Sequence, residues 1–172
     1  MRIKGNFNPN RLGDCSFENP IPMRCIFEKE NHILVNNYAT NSDKNYFVEA
    51  GQFRKIYFDP TTVRVGILTA GGNAPGLNMV IDSIVKRQFS YRIRNKEQVR
   101  AYIGGYKGLY GRNSIYLDPQ ETDKWAYEAC TRIKTSRGDF LGEKLVKKAV
   151  DNLQADKIDI LYTIGGNGTL YW

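Results

Sequence analysis

Two glycine-rich segments have the composition of loops that bind phosphate. Residues 71–78 have the sequence GGNAPGLN, and residues 165–169 have the sequence GGNGT. Paired glycines let the backbone take conformations closed to other residues, and a ligand can approach them without a Cβ in the way. A helix beginning near Pro75 would also point free N–H groups at that ligand. A ligand-free turn is the alternative for either segment alone, but two such segments in one chain favour a phosphate site.

Polar side chains near these segments could complete the site. Asn167 supplies an amide oxygen and Thr169 a hydroxyl, and both groups could orient phosphate or a hydrated magnesium ion. Arg137, followed by Gly138, could present its planar guanidinium to a phosphate in bidentate fashion, whereas a solvated arginine is the alternative. Tyr106 follows a glycine pair and could stack on a nucleotide or hydrogen-bond to it. A buried, packing tyrosine is equally consistent with the sequence.

The hydrophobic pattern places the glycine-rich segments at the ends of buried strands. Residues 63–69 form an apolar run, rich in β-branched residues, that ends shortly before a glycine pair. Residues 99–103 and 158–164 repeat that arrangement, and each runs directly into paired glycines. Apolar residues on both faces predict parallel strands that are buried between layers.

Helical stretches are predicted between these strands. Apolar residues at helical spacing follow residue 76, and they recur at Leu145, Ala149 and Leu153. Residues 123–133 form a weaker helical pattern. The alternation predicts an α/β fold, a Rossmann-like three-layer domain with a mostly parallel sheet. Ligands of such sheets bind outside the carboxyl ends of the strands, where the glycine pairs lie.

The first 60 residues differ in composition from the rest. They are rich in asparagine, with several aromatic residues and prolines, and they show no sustained helical period. Short strands are predicted at residues 32–35 and 56–58. We interpret residues 1–60 as an N-terminal extension packed on the main domain. Residues 61–172 form the α/β domain, which we expect to be truncated at its C-terminal end.

Composition restricts the kind of partner. The chain has 172 residues and a formal net charge of +7, but its basic residues are scattered, without an arginine-rich arm or an aromatic-interleaved strand motif. We therefore expect polyanionic small ligands and no nucleic acid. No apolar run approaches the roughly 20 residues of a membrane span, so we expect no membrane association. Three widely spaced cysteines, Cys15, Cys25 and Cys130, predict reduced thiols in a cytoplasmic protein.

Four motifs, in this order along the chain, resemble those of one enzyme family. They are GGNAPGLN at 71–78, GGYKGL at 104–109, TSRGDF at 135–140 and IGGNGT at 164–169. The series closely resembles the N-terminal half of the 6-phosphofructokinases. The segment KIYFDP at 55–60 is similar to the lead-in of the plant- and protist-type long branch of that family. The resemblance covers residues 47–172 closely and the N-terminal extension loosely.

The resemblance implies transfer of the ATP γ-phosphoryl group, with Mg²⁺, to the 1-hydroxyl of fructose 6-phosphate. It implies that residues 61–172 are the N-terminal, ATP-binding part of a phosphofructokinase domain, and that the complete protein is a homo-oligomer. Gly72 would let the ATP phosphates approach the backbone, and Arg137 would be the catalytic residue that neutralises charge on the transferring group. The implied nucleotide-binding residues are Gly72, Tyr106, Arg137, Gly138, Gly166, Asn167, Gly168 and Thr169.

Two positions in the last motif concern the phosphoryl donor and the metal. In the family, glycine after the acidic position accompanies ATP use, whereas pyrophosphate users carry aspartate there, so Gly168 favours ATP. The family usually has aspartate, the expected magnesium ligand, where this chain has Asn167. Because a hard dication prefers carboxylate oxygen, we expect Asn167 to bind Mg²⁺ weakly.

The C-terminal end of the chain limits what the resemblance implies. In the family, the catalytic aspartate loop and the fructose 6-phosphate contacts lie downstream of the position of Trp172, so we expect this chain to lack the general base. Three alternatives remain: a truncated phosphofructokinase, a catalytically inactive nucleotide-binding fragment or pseudoenzyme, and a pyrophosphate-dependent homologue. A lipid- or dinucleotide-kinase-like domain would leave the motifs at 71–78 and 135–140 unexplained.

Overall fold

The structure is a computed structural model, and it describes residues 12–22, 32–35, 45–48, 51–136 and 143–170. The chain divides into two compact units, residues 1–59 and residues 60–172.

The described residues of the first unit include two small antiparallel pairs of strands. Strand β1 (Phe17–Glu18) pairs with β4 (Lys55–Ile56), and β2 (His32–Val35) pairs with β3 (Asn45–Val48). The strand predicted at residues 32–35 is therefore confirmed. The strand predicted at 56–58 is shifted, because the pairing with β1 ends at Ile56.

The second unit is built on a mostly parallel sheet. Its strands are β5 (Val65–Ala70), β6 (Val99–Tyr102), β7 (Ser114–Tyr116), β8 (Thr135–Ser136) and β9 (Ile160–Ile164). Strand β9 runs parallel along one edge of β5, while the other edge pairs first with β6 and then, at its carboxyl end, with the short β8. Only β7, which pairs with β6, is antiparallel within the described sheet. All residues of β5 are buried, as expected for a central parallel strand.

Helices cover both faces of this sheet. They are α1 (Leu77–Ser90), α2 (Tyr106–Gly111), α3 (Pro119–Asp123), α4 (Glu143–Ala155) and the short α5 (Asn167–Leu170). Leu161 of β9 packs with α2 and α4 residues in one apolar cluster, whereas the next residue, Tyr162, accepts a hydrogen bond of 2.8 Å from Gln88 of α1. Successive strand residues point to opposite faces, so α1 lies on the face opposite α2 and α4. The predicted three-layer α/β architecture is confirmed.

A buried carboxylate ties the end of α4 to the sheet. The side chain of Asp156 is 1% exposed and lies in ion-pair contact with Arg112 and, at 3.7 Å, with Arg100. The Tyr102 hydroxyl donates to the same carboxylate at 2.9 Å. Burial raises the pKa of the Tyr102 phenol, and the bond to Asp156 raises it further. The charge of Asp156 is therefore paired and hydrogen-bonded, which a buried carboxylate requires.

The helix predicted over residues 123–133 is wrong. Helix α3 ends at Asp123, and residues 124–134 run as turns and bends. Trp125 and Ile133 of this segment are buried in the core, so apolar residues that suggested a helical face are buried by an irregular chain. The glycine-containing segment after β6, by contrast, is helical and forms α2.

Candidate functional site

The glycine-rich segments meet at one edge of the sheet, where β5, β6, β8 and β9 end. The Gly71 N–H donates to the Ser136 carbonyl at 2.9 Å, and the Ser136 hydroxyl donates to the Gly104 carbonyl at 2.7 Å. On the other side of β5, the Thr169 hydroxyl lies 3.4 Å from the Ala70 carbonyl. The structure thus brings together segments that are separated by up to 98 residues in the sequence, counting from Gly71 to Thr169.

The first turn connects β5 to α1. Gly71 has a φ of +92°, a left-handed conformation that favours glycine. Gly72 follows with an ordinary backbone, is exposed, and has no atom of the described residues within 4 Å of the position a Cβ would take. Helix α1 begins at Leu77, two residues after the predicted start near Pro75, and its N-terminal N–H groups carry the positive end of the helix dipole.

Asn78, in the first turn of α1, fastens this turn to the segment before β8. Its side chain is fully buried. The amide group donates to the Glu128 carbonyl at 3.1 Å, and its oxygen accepts from the Arg132 N–H at 2.8 Å. Both polar atoms of the Asn78 amide therefore hold an irregular segment in place, which sequence reasoning did not assign.

The last turn connects β9 to α5, and its first glycine is fixed by packing. A Cβ on Gly165 would lie 2.1 Å from the Thr169 hydroxyl and 2.6 Å from the Ala70 carbonyl, so no other residue fits. Gly166 and Gly168 are exposed, and none of the described atoms lies within 4 Å of a Cβ built on either. Asn167 between them is also exposed.

Thr169 and Tyr106 link the last turn to the turn after β6. Thr169 is 7% exposed, and its hydroxyl is directed at Ala70 beneath the turn. The Tyr106 hydroxyl donates to the Thr169 carbonyl at 3.1 Å, and its ring stacks on Tyr110 with centroids 6.5 Å apart. Burial raises the pKa of the Tyr106 phenol, so this donor stays protonated at neutral pH. Of the two interpretations of Tyr106 from the sequence, these contacts match the packing tyrosine, and its approach to a nucleotide stays a prediction.

Arg137 and Gly138 lie outside the described residues. The two residues before them, Thr135 and Ser136, are half-buried and belong to β8. The Thr135 hydroxyl donates to the Gly71 carbonyl at 3.0 Å. The last described residues before Arg137 are therefore hydrogen-bonded to the first glycine-rich turn. The roles of Arg137 and Gly138 stay predictions.

Metal ligands are sparse around these turns. Across the part of the chain that the structure describes, no group of three or more His, Cys, Asp and Glu side chains could hold a metal ion. Asn167 is the exposed amide at the predicted metal position. The described helices also include none long and apolar enough to cross a membrane.

Comparison with known proteins identifies relatives of the chain. A family model described as phosphofructokinase matches residues 64–172, more than half of the chain. The ATP-dependent 6-phosphofructokinase of Borreliella burgdorferi is 34% identical over 187 aligned residues, which cover 98% of this chain and 40% of that protein. ATP-dependent 6-phosphofructokinase 2 of Arabidopsis thaliana is 30% identical over 139 residues, which cover 80% of this chain and 30% of that protein. The chain thus spans less than half the length of these curated relatives.

Solved structures agree with the sequence comparisons. Phosphofructokinase from Saccharomyces cerevisiae superposes with a TM-score of 0.57 and 27% identity, over 64% of this chain and 15% of that chain. Pichia pastoris phosphofructokinase in the T-state shares the fold, with a TM-score of 0.59 and 22% identity over 82% of this chain and 16% of that one. The family match covers the sheet and the turns at its carboxyl edge, and the chain belongs to the phosphofructokinase family.

Proposed function

We propose that this chain supplies the nucleotide-binding part of an ATP-dependent 6-phosphofructokinase. The proposed reaction transfers the γ-phosphoryl group of ATP to the 1-hydroxyl of fructose 6-phosphate. The observation that carries the proposal is the meeting of the glycine-rich turns at one sheet edge. There, open glycines, whose Cβ positions no described neighbour crowds, lie beside glycines that the fold itself requires. The family membership of the chain and the names of its relatives point the same way.

The open glycines support a ligand at this edge. Gly71 and Gly165 are explained by the fold itself, one by its φ and the other by close packing. Gly72 and Gly166 adopt ordinary backbone conformations, and within the described chain nothing crowds their Cβ positions. Phosphate oxygens that approach the backbone N–H groups would account for the small size of these two residues.

In the proposed reaction, the chain acts by positioning and by charge. The backbone at Gly72 and Gly166 would hold the ATP phosphates, and the guanidinium of Arg137 would neutralise charge on the transferring group. Bound Mg²⁺ would supply further neutralisation of the phosphates, and Asn167 would offer it one neutral oxygen. The resemblance to the family, in which glycine at the position of Gly168 accompanies ATP use, supports ATP rather than pyrophosphate as the donor.

The test is ATP binding by the 172-residue chain, measured by isothermal titration calorimetry with Mg²⁺. Gly72→Ala places a methyl group where the phosphates would approach, and we expect ATP affinity to fall by about tenfold or more. Gly111→Ala is the matched control, because Gly111 at the end of α2 is likewise exposed, with ordinary φ and nothing of the described chain near its Cβ position. A wild-type chain that does not bind ATP, or a Gly72→Ala chain that binds as tightly as wild type, would contradict the proposal.

Turnover separates the enzyme from the nucleotide-binding module. A coupled assay of ADP release with fructose 6-phosphate detects phosphoryl transfer, whereas ATP binding without turnover favours a pseudoenzyme or fragment. Competition of pyrophosphate with bound ATP tests the donor, and Gly168→Asp should shift the preference towards pyrophosphate. We place the complete protein in the cytoplasm, and cell fractionation is the check, since one relative is named as chloroplastic. We expect the complete protein to be a homo-oligomer, which light scattering would test.

A further inference from the structure

The short strand β8 lies between two glycine-rich turns, the one after β5 that begins at Gly71 and the one after β6 that begins at Gly104. Its backbone pairs with the end of β5, where Thr69 and Ala70 are opposite Thr135 and Ser136. Just before it, the Thr69 hydroxyl donates to the Lys134 carbonyl at 2.7 Å. The two residues of β8 are thus held against a fully buried strand, although a strand of this length forms few backbone hydrogen bonds.

Side chains of β8 reach the turns on both sides. The Thr135 hydroxyl donates to the Gly71 carbonyl at 3.0 Å, and the Gly71 N–H donates back to the Ser136 carbonyl at 2.9 Å. The Ser136 hydroxyl donates to the Gly104 carbonyl at 2.7 Å. Gly105 is close as well, since a Cβ there would lie 3.3 Å from the Ser136 hydroxyl oxygen and 2.5 Å from the Thr69 carbonyl oxygen.

These bonds fix the orientation of the peptide groups in the turn. Gly71 is hydrogen-bonded through both its N–H and its carbonyl, which belong to the peptide groups on either side of its Cα. The peptide that joins Gly71 to Gly72 therefore cannot rotate without breaking the Thr135 bond. That peptide carries the Gly72 N–H, which lies in the proposed phosphate-binding turn. A donor held in advance loses less freedom when a ligand binds.

We propose that Thr135 and Ser136 are positioning residues, whose hydroxyls hold the glycine-rich turns after β5 and β6 in the arrangement that binds phosphate. The proposal rests on the proposed function and deepens it. Thr135 acts through the Gly71 carbonyl on the Gly72 N–H, and Ser136 acts through the Gly104 carbonyl on the neighbouring turn. Neither hydroxyl needs to touch the ligand.

The first test compares hydroxyl deletions by ATP titration of the 172-residue chain. Thr135→Val removes one hydrogen bond at nearly constant shape, and we expect ATP affinity to fall by about fivefold to tenfold. Thr135→Ser keeps the hydroxyl and should restore affinity to within about twofold of wild type. Ser136→Ala is the second variant, and it keeps the proposal testable should Thr135→Val fail to fold.

Thr122→Val is the control for general loss of stability. Thr122 of α3 is fully buried, and its hydroxyl donates at 2.7 Å to Asp82 of α1, four residues beyond the end of the first glycine-rich segment and without a direct bond to any of the turns. We expect this variant to melt at a lower temperature with ATP affinity unchanged. Equal weakening of ATP binding by Thr122→Val and Thr135→Val would overturn the proposal, and so would Thr135→Val affinity equal to wild type.

A double-mutant cycle identifies the route by which Thr135 acts. If Thr135 acts through the turn, Thr135→Val should change ATP affinity by less than about twofold in a Gly72→Ala background. Additive losses would instead mean that the hydroxyl acts elsewhere, and they would overturn the proposal.

Hydrogen–deuterium exchange tests the same positioning without ATP. Thr135→Val should speed exchange of the Gly71 amide, which is bonded to the Ser136 carbonyl, in the chain without nucleotide, whereas Thr122→Val should not. A wild-type chain that does not bind ATP removes the proposed function, yet this exchange result still decides whether Thr135 orders the turn. Unchanged exchange at the Gly71 amide would remove the positioning role alone.

Discussion

The two glycine-rich turns beside β5 are fastened in different ways. The first, at residues 71–78, is held by contacts with distant parts of the chain. Its Gly71 carbonyl accepts from the Thr135 hydroxyl, and its buried Asn78 amide bonds to the backbone of Glu128 and Arg132. The last, at residues 165–169, is held mainly from within, by Thr169 packed under its own first glycine. The first turn is held by long-range hydrogen bonds, whereas the last combines close packing at Gly165 with the bonds that link Thr169 to Ala70 and Tyr106.

The comparison also shows what the two turns share. Each begins with a glycine that the fold requires and continues with one that the described chain leaves uncrowded. Substitutions at the required glycine should therefore act on stability, and substitutions at the open glycine should act on ligand binding. The contacts that hold each turn predict how much a substitution there will change the free energy of unfolding.

The largest effect is expected at the packed glycine of the last turn. Gly165→Ala places a methyl group 2.6 Å from the Ala70 carbonyl oxygen, a backbone atom that cannot move aside without distorting β5. Such overpacking should lower the free energy of unfolding by about 3 kcal/mol, measured by urea denaturation. Gly166→Ala, with no described neighbour to meet, should change it by less than about 0.5 kcal/mol. Equal effects at the two positions would remove the distinction between packed and open glycines.

The next largest effect is expected at Asn78, which fastens the first turn. Asn78→Ala empties a fully buried side-chain position and removes the partner of the Glu128 carbonyl and of the Arg132 N–H, two part-buried bonds, which should cost about 2 kcal/mol. Hydrogen–deuterium exchange should localise the change to the Arg132 amide. Asn73→Ala in the same turn is the control, since Asn73 is exposed and should be nearly neutral. Unchanged stability in Asn78→Ala would mean that the first turn does not depend on long-range bonds.

The same contrast explains which features the sequence could predict. Strands β5, β6 and β9 were predictable because their apolar runs and terminal glycines are local signals. The segment at 123–133 was assigned the wrong structure because Trp125 and Ile133 are buried by tertiary packing, and Asn78 holds the backbone between them. The local pattern of apolar residues does not reveal that Asn78 bonds to this segment.

Within the site, the glycines were predictable and their supports were not. A glycine pair after a strand is visible in the sequence, whereas the bond from Thr135 to Gly71 joins residues 64 positions apart. Helix α2 was missed for a related reason. Gly108 lies inside it because a Cβ there would meet the Ile103 carbonyl oxygen at 2.2 Å, so a residue typical of loops is required by packing within a helix.

A smaller effect is expected where the last turn is linked to α2. Tyr106→Phe removes the bond to the Thr169 carbonyl but keeps the ring beside Tyr110, and it should cost about 1 kcal/mol. Burial raises the folded-state pKa of Tyr106, so the contribution is complete below the unfolded pKa and is lost as pH rises through the folded one. Urea denaturation should therefore give the same difference between wild type and variant from about pH 6 to about pH 9. A difference that disappears within that range would contradict the link.

The smallest effect on stability is expected at Asn167, in the exposed part of the last turn. Asn167→Asp adds a carboxylate where the described chain makes no close packing demand, so the free energy of unfolding should change by less than about 0.5 kcal/mol. Its effect should appear in ATP titrations with and without Mg²⁺, because a carboxylate is a better ligand for a hard dication than an amide. Magnesium should strengthen ATP binding more in the variant than in wild type, whereas Asn73→Asp should leave the magnesium dependence as it is. If Asn167→Asp alters stability but not the magnesium dependence, the exposed part of this turn serves the fold, and the division between packed and open positions fails at Asn167.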